Sequence, residues 1–192
     1  MIVIKNNTEI EYMRQAGKLV GETLNMLEKA VKPGVTTVEL DKLAESFIRE
    51  HNAVPSFKGY GGFPASICTS VNEEVIHGIP SSSKVLHEGD ILSIDCGAIL
   101  NGYQGDAART FPVGKISEEA AKLIKVTKES FFKGAEKAVV GNRLTDISHT
   151  VQEYIEGFGY GVVRDYVGHG IGKEMHEDPE VPNYGRPGRG PK

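Results

Sequence analysis

Two aspartates, Asp95 and Asp106, flank an Asn101-Gly102 pair, and two histidines, His169 and His176, punctuate the glycine-rich segment from Gly168 to Pro179. Carboxylate and imidazole are the usual ligands of hydrolytic divalent-metal sites, so these residue types point to a metal-dependent hydrolase. Asn-Gly between two runs of alternating apolar and small residues signals a two-residue hairpin loop. With that loop, Asp95 faces Ala108 and Asp106 faces Gly97. The carboxylates then share one face as diagonal neighbours, roughly 7–8 Å apart at the backbone, and the small Gly97 and Ala108 leave room for an ion. A three-residue loop would put them on opposite faces. Asp95 also follows Ile91-Leu92-Ser93-Ile94, which reads as a buried strand, and burying an unpaired carboxylate is costly. A cation or a protonated partner is therefore expected beside it. Taken without the histidines, the pair reads more simply as a turn residue and an exposed strand-end charge.

His169 sits in Gly168-His169-Gly170, and a strand over Tyr160 to Val167 is expected to deliver it, as rigid elements hold ligands. For His176 a ligand role and a place near a substrate are both open. His77, in Val75-Ile76-His77-Gly78-Ile79-Pro80, is either a core imidazole or part of a shaped loop. His51, His87 and His149 read as surface residues without a role. Glu73, Glu74, Glu118 and Glu119 read as solvated acids, the last two favourable at a helix N-terminus.

The elements that must position these residues follow from periodicity. A helix is expected from a Thr8 cap through Val31, with Ile10, Met13, Ala16, Leu19, Val20, Leu24 and Leu27 at helical spacing. Pro33-Gly34 ends it, and Thr36 or Thr37 caps a second helix carrying Leu40, Leu43, Ala44, Phe47 and Ile48. A strand falls between Pro64 and Val75, and the Asp90 to Pro112 hairpin follows. The grammar then repeats weakly. Ser117 caps a helix to about Val140, Gly141-Asn142 breaks it, and a helix runs from about Thr145 to Glu156, with Gly141 answering Gly34 and Ile147 answering Leu40. The second copy reads as incomplete, because the chain reaches Lys192 soon after the His176 loop.

Composition narrows the class. The 192 residues are 39% hydrophobic and 25% charged with a formal net charge of -4, which leaves no basic footprint for direct nucleic-acid binding. The 23 glycines exceed the usual share of about 7% and cluster where turns and close approaches are expected. With only Cys68 and Cys96 and no apolar signal segment after Met1, a reducing cytosol is expected rather than a disulfide framework. No run approaches the roughly 20 apolar residues needed to span a bilayer.

Asn72-Glu73-Glu74-Val75-Ile76-His77-Gly78-Ile79-Pro80, Asp95-Cys96-Gly97, Gly105-Asp106-Ala107-Ala108-Arg109-Thr110-Phe111 and Gly168-His169-Gly170-Ile171-Gly172 through His176-Glu177 together resemble type I methionine aminopeptidase. The match covers nearly the whole chain, including Lys32-Pro33-Gly34-Val35-Thr36-Thr37. The resemblance implies an α+β pita-bread fold, with pseudo-two-fold helix pairs packed on a curved antiparallel sheet and the second half incomplete. It implies a single metallopeptidase-like domain over residues 1–192 that lacks its C-terminal strands.

By motif position, Asp95, Asp106 and His169 would be metal ligands, and His77 and His176 catalytic residues that contact the substrate and stabilise the tetrahedral intermediate. Phe57, Tyr60, Phe63, Cys68 and Met175, with His77 and His176 at the edge, would line an apolar substrate pocket for a thioether side chain. Two divalent ions (Co, Mn, Fe or Zn) belong to the family's site. Two glutamates from later strands complete it there, and neither can be located here, so one ion or none, and weak or no peptidase activity of the chain alone, are expected. The implied activity is metal-assisted hydrolysis that removes the N-terminal methionine of nascent polypeptides in the cytoplasm, with transient ribosome association and no membrane partner. An open sheet edge implies self-association. The alternatives are a prolidase-like X-Pro hydrolase, against which His77-Gly78-Ile79-Pro80 speaks, and a truncated or non-catalytic pita-bread binding module.

Overall fold

The computed structural model describes residues 1–192 as an α+β chain with two compact units. One comprises Ile4–Ser117 and Ile171–Met175; the other comprises Met1–Val3, Glu118–Gly170 and His176–Lys192.

In the first unit, helices α1 (Asn7–Ala30) and α2 (Thr37–Glu50) precede strands β1 (Val54–Pro55), β2 (Ile67–Val71), β3 (Ile91–Leu100) and β4 (Tyr103–Pro112). Strand β3 is central: β4 pairs along one side of it, and β1 and β2 share the other, all antiparallel. Asn6, not Thr8, caps α1. Its side chain accepts from the N–H of Glu9, whose carboxylate answers the Asn6 N–H at 2.8 Å. Thr8 falls inside the first turn; both residues have a glutamate three positions on, but the helix already starts at Asn7, so the box closes between Asn6 and Glu9. Thr36 and Glu39 form the same reciprocal cap on α2.

Alternate residues of β3 serve two faces. Leu92, Ile94, Cys96 and Ala98 are buried with Leu19, Val20, Leu24 and Leu27 of α1 and Leu40, Ala44 and Ile48 of α2. Full burial of each Leu or Ile contributes roughly 1.5–3 kcal/mol. Helix α1 comes so close to β4 that a Cβ on Gly105 would stand 2.5 Å from the Ala16 carbonyl. Asp95 and Gly97 point the other way.

Asp41 interrupts the buried face of α2. One of its oxygens accepts both the Ser66 N–H at 2.7 Å and the Ile67 N–H at 3.1 Å, which fixes the start of β2. Burial raises its pKa, more than those two bonds and Lys58 lower it, and Glu45 adds to the rise. Because the folded pKa lies above the unfolded one, the associated stability is full at acid pH and is lost as pH rises through the folded value. Asn at 41 keeps an oxygen for both bonds and carries no charge. The stability of Asp41→Asn relative to the parent should therefore improve between pH 4 and pH 7 in denaturant titrations. Asp41→Ala should lose about 1–3 kcal/mol at both, because two buried N–H groups lose their acceptor.

In the second unit, α3 (Glu118–Ala135) packs on α4 (Leu144–Glu156), and a two-stranded antiparallel ladder joins β5 (Gly168–Gly170) to β6 (Glu177–Val181). The close crossing of the helices needs Gly134, where a Cβ would meet Val151 at 2.7 Å. The expected helix to Val140 stops at Ala135. Val139 and Val140 are 57% and 106% exposed, so continuing the helix would bury nothing. The expected strand over Tyr160 to Val167 does not form either. A strand needs a ladder partner, and β6 supplies one only from Gly168 onward.

Candidate active site

The hairpin closes with the two-residue loop. Asn101 and Gly102 take φ values of 54° and 77°, the left-handed region that this turn requires, and the register pairs Asp95 with Ala108 and Gly97 with Asp106. The two acids thus lie on the face of the hairpin opposite the α1–α2 core, and their carboxyls are hydrogen-bonded to each other. The protein mass around Asp95 makes its charged form costly. Burial first, then the Asp106 charge and their shared hydrogen bond, push its pKa up to about 7, against the opposing effects of His77 and the Cys96 N–H. Two bare charges are disfavoured here, so the pair either holds a proton or meets a cation. Hard carboxylate oxygens in this arrangement fit a divalent ion, which would reverse the repulsion.

His77 belongs to the same unit and has a φ of 59°. Its neighbour Gly78 pins the loop to β2: the Thr69 N–H donates to the Gly78 carbonyl at 2.8 Å, and the Gly78 N–H donates to Ser70 Oγ at 3.1 Å. Glu73 is exposed as expected. Glu74 is not simply solvated, because its carboxylate accepts from the Val71 N–H at 2.9 Å and pairs with Lys84. It ties the base of the His77 loop to the end of β2.

An apolar cluster adjoins the acid pair. Cys68 is directly opposite Asp95 across the β2–β3 ladder, so both project from one face. Phe57, Cys68 and Met175 are buried together with Phe63 packed on them, and a Cβ on Gly97 would stand 2.7 Å from the Phe57 ring. Tyr60 lies outside this cluster, 51% exposed, on the short 3-10 turn Tyr60–Gly62. Burial, then the charges of Asp95, Asp106 and Asp41, push the Cys68 thiol up to about 12. Cys68 is therefore a small apolar wall and not a nucleophile.

His169 and His176 lie in the other unit. Their ring centroids are 4.3 Å apart. The ladder explains the approach: His169 pairs with Glu180 and, after a bulge, Gly170 pairs with Glu177, which brings the residue before Glu177 alongside. His169 Nδ1 lies 3.0 Å from the Gly170 carbonyl. A carbonyl only accepts, so Nδ1 is the donor of this contact, which leaves Nε2 as the ring nitrogen suited to a metal. Neither unit by itself gathers three metal-ligating side chains. His51, His87 and His149 join neither the acid pair nor the histidine pair; His149 borders a cavity of about 610 Å³ beside α4 with Gln152, Tyr184 and Arg186.

An acid pair on a hairpin face, with an apolar cluster beside it, fits the needs of a metal-dependent hydrolase. Residues 11–191 match metallopeptidase family M24. The methionine aminopeptidase of Clostridium acetobutylicum is 86% identical over all 192 residues, which span 77% of that relative. The crystal structure of methionine aminopeptidase from Rickettsia prowazekii superposes with a TM-score of 0.97 at 47% identity, covering 99% of this chain and 76% of that one. Prolidase from Pyrococcus furiosus is a more distant likeness, with a TM-score of 0.83 at 26% identity over 95% of this chain and 52% of that chain. The chain belongs to metallopeptidase family M24 and, within it, to the methionine aminopeptidases. Its fold is the pita-bread fold of that group.

Proposed function

We propose that the chain removes the N-terminal methionine from newly made polypeptides, with Asp95, Asp106 and His169 as metal ligands and with His77 and His176 at the substrate. The observation that carries this reading is the acid pair beside the Phe57–Cys68–Met175 cluster on one face of the hairpin. The cluster offers a flexible thioether side chain an apolar, polarisable seat. Phe63 extends that seat, and Tyr60 guards its approach. Divalent metal (Co, Mn, Fe or Zn; two ions in the family's full site, one or none on the ligands of this chain) would supply Lewis acidity toward the scissile carbonyl and lower the pKa of water. The protein's own groups place the peptide: the apolar walls hold the side chain, and the two histidines donate to the oxygen that gains charge in the transition state.

Nascent chains in the cytoplasm are the substrates this reading supplies, met in transient association with the ribosome. Self-association along open strand edges belongs to the same reading. The test is release of free methionine from the peptide Met-Gly-Met with added Mn, Co or ferrous iron. The expected result for this chain is weak metal-dependent release that N-acetylation of the peptide abolishes. Cleavage of the acetylated peptide, or release that does not depend on added metal, would overturn the proposal.

A further inference from the structure

We infer that Gln104 is a positioning residue that sets the selectivity of the apolar pocket, by fixing the segment Ile171–Met175 so that Met175 stands against Phe57 and Cys68. The inference rests on the reading of the pocket given above.

Gln104 and Asp106 are two apart on β4 and so share a face. Gln104 is 5% exposed and holds the 171–175 segment twice. Its backbone N–H donates to the Gly172 carbonyl at 2.8 Å, and its side-chain Nε2 donates to the Lys173 carbonyl at 3.4 Å. The remaining amide atom, Oε1, accepts from the Ser56 hydroxyl at 2.6 Å. Only an amide of this length offers both functions on one rigid plane, and the Ser56 bond decides which way that plane faces. The segment is stiffened further by a bond from the Gly172 N–H to the Glu174 carbonyl at 3.1 Å.

This chain of contacts joins opposite walls of the pocket. Ser56 precedes Phe57 and donates its own N–H to the Gly97 carbonyl at 3.0 Å, while Lys173 lies two residues before Met175. The separation of Phe57 from Met175 therefore depends on the Ser56–Gln104–Lys173 connection. Wall rigidity matters for selectivity, because a methylene more or less is worth only about 1–3 kcal/mol even in a firm pocket. Ser56 is 7% exposed, so few waters can replace a lost partner.

The test substitutes Gln104→Glu, which keeps the shape and the acceptor but cannot donate to the Lys173 carbonyl. Hydrolysis of Met-Gly-Met and Ala-Gly-Met with Mn should show the methionine-over-alanine ratio of kcat/KM falling about tenfold, chiefly through KM for the methionyl peptide. In metal-free protein labelled at its methionine methyls, the Met175-to-Phe57 cross-peak should weaken or vanish. Ser56→Ala should act in the same direction and add little in the Gln104→Glu background, since both act through one amide. An unchanged cross-peak with an unchanged ratio overturns the inference, as do fully additive effects of the two substitutions. A drop in melting temperature with the ratio intact also overturns it, by reducing Gln104 to a staple. A parent protein that cleaves both peptides without preferring methionine sinks the reading of the pocket, and the methyl–ring contact alone then judges the clamp.

Discussion

Asp95→Asn is expected to raise the melting temperature of the metal-free protein and to remove the further rise that a divalent ion gives the parent. The opposite signs come from one arrangement. Without a cation, the protein surrounds two carboxyls that share a hydrogen bond, and the cost of charging Asp95 beside Asp106 is what pushes its pKa up to about 7. An amide at 95 can donate to Asp106 in place of that proton and carries no charge to desolvate, so the substitution relieves the metal-free state. With a divalent ion the repulsion becomes the binding energy, because both carboxylates then face a cation instead of each other. An ion at a hundredfold excess over its Kd stabilises the parent by about 2.7 kcal/mol, or roughly 5–10 °C for a chain of this size. The amide is neutral and a weaker ligand, so the variant should need on the order of a hundredfold more metal for the same rise. Calorimetric scans with and without Mn check both halves. A variant less stable without metal and equally responsive to it would show that Asp95 belongs to neither the repulsive pair nor the ligand set.

The geometry behind that expectation was readable from sequence because it is local. Asn101-Gly102 dictates a two-residue turn, and the turn dictates which face each aspartate takes. Helical spacing likewise placed α1 and α4 to within a residue or so of their observed ends, and cap chemistry placed the start of α2. What escaped was whatever depends on a distant partner. Tyr160 to Val167 has the apolar content of a strand, yet strand formation is decided by the chain that pairs with it, and that pairing begins only at Gly168. The His169–His176 approach turns on a bulge that shifts the ladder between His169 and Gly170. Gln104 bonds a segment 69 residues away and leaves no local trace. Asp41 left one, as a charged residue between Leu40 and Ala44 on an otherwise apolar helix face. A carboxylate at such a position must find donors, and the nearest unsatisfied ones are the N–H groups at the start of β2.

The second large effect is expected at Gly78, although Gly78 touches neither aspartate. A Cβ there would stand 2.1 Å from the Thr69 carbonyl oxygen and 2.7 Å from its carbon. These are backbone atoms of β2, held on the other side by the ladder to β3, so they cannot swing aside as the end of a side chain could. The loop has to lift instead. Lifting it breaks the bond from the Thr69 N–H to the Gly78 carbonyl and the bond from the Gly78 N–H to Ser70 Oγ, and those two bonds hold the residue next to His77. Gly78→Ala should therefore cost about 1–3 kcal/mol of stability. It should also displace the His77 imidazole by something near an ångström. Displacement on that scale in a positioned catalytic group costs about a hundredfold in rate, so kcat for Met-Gly-Met should fall by roughly that factor while metal affinity at the aspartates changes little. Ser70→Ala provides the control, because it removes one of the two bonds without adding bulk and should lower kcat far less. If Gly78→Ala lowered stability and left kcat and the His77 resonances where they were, the loop's attachment to β2 would be structural only, and His77 would have no claim on the substrate.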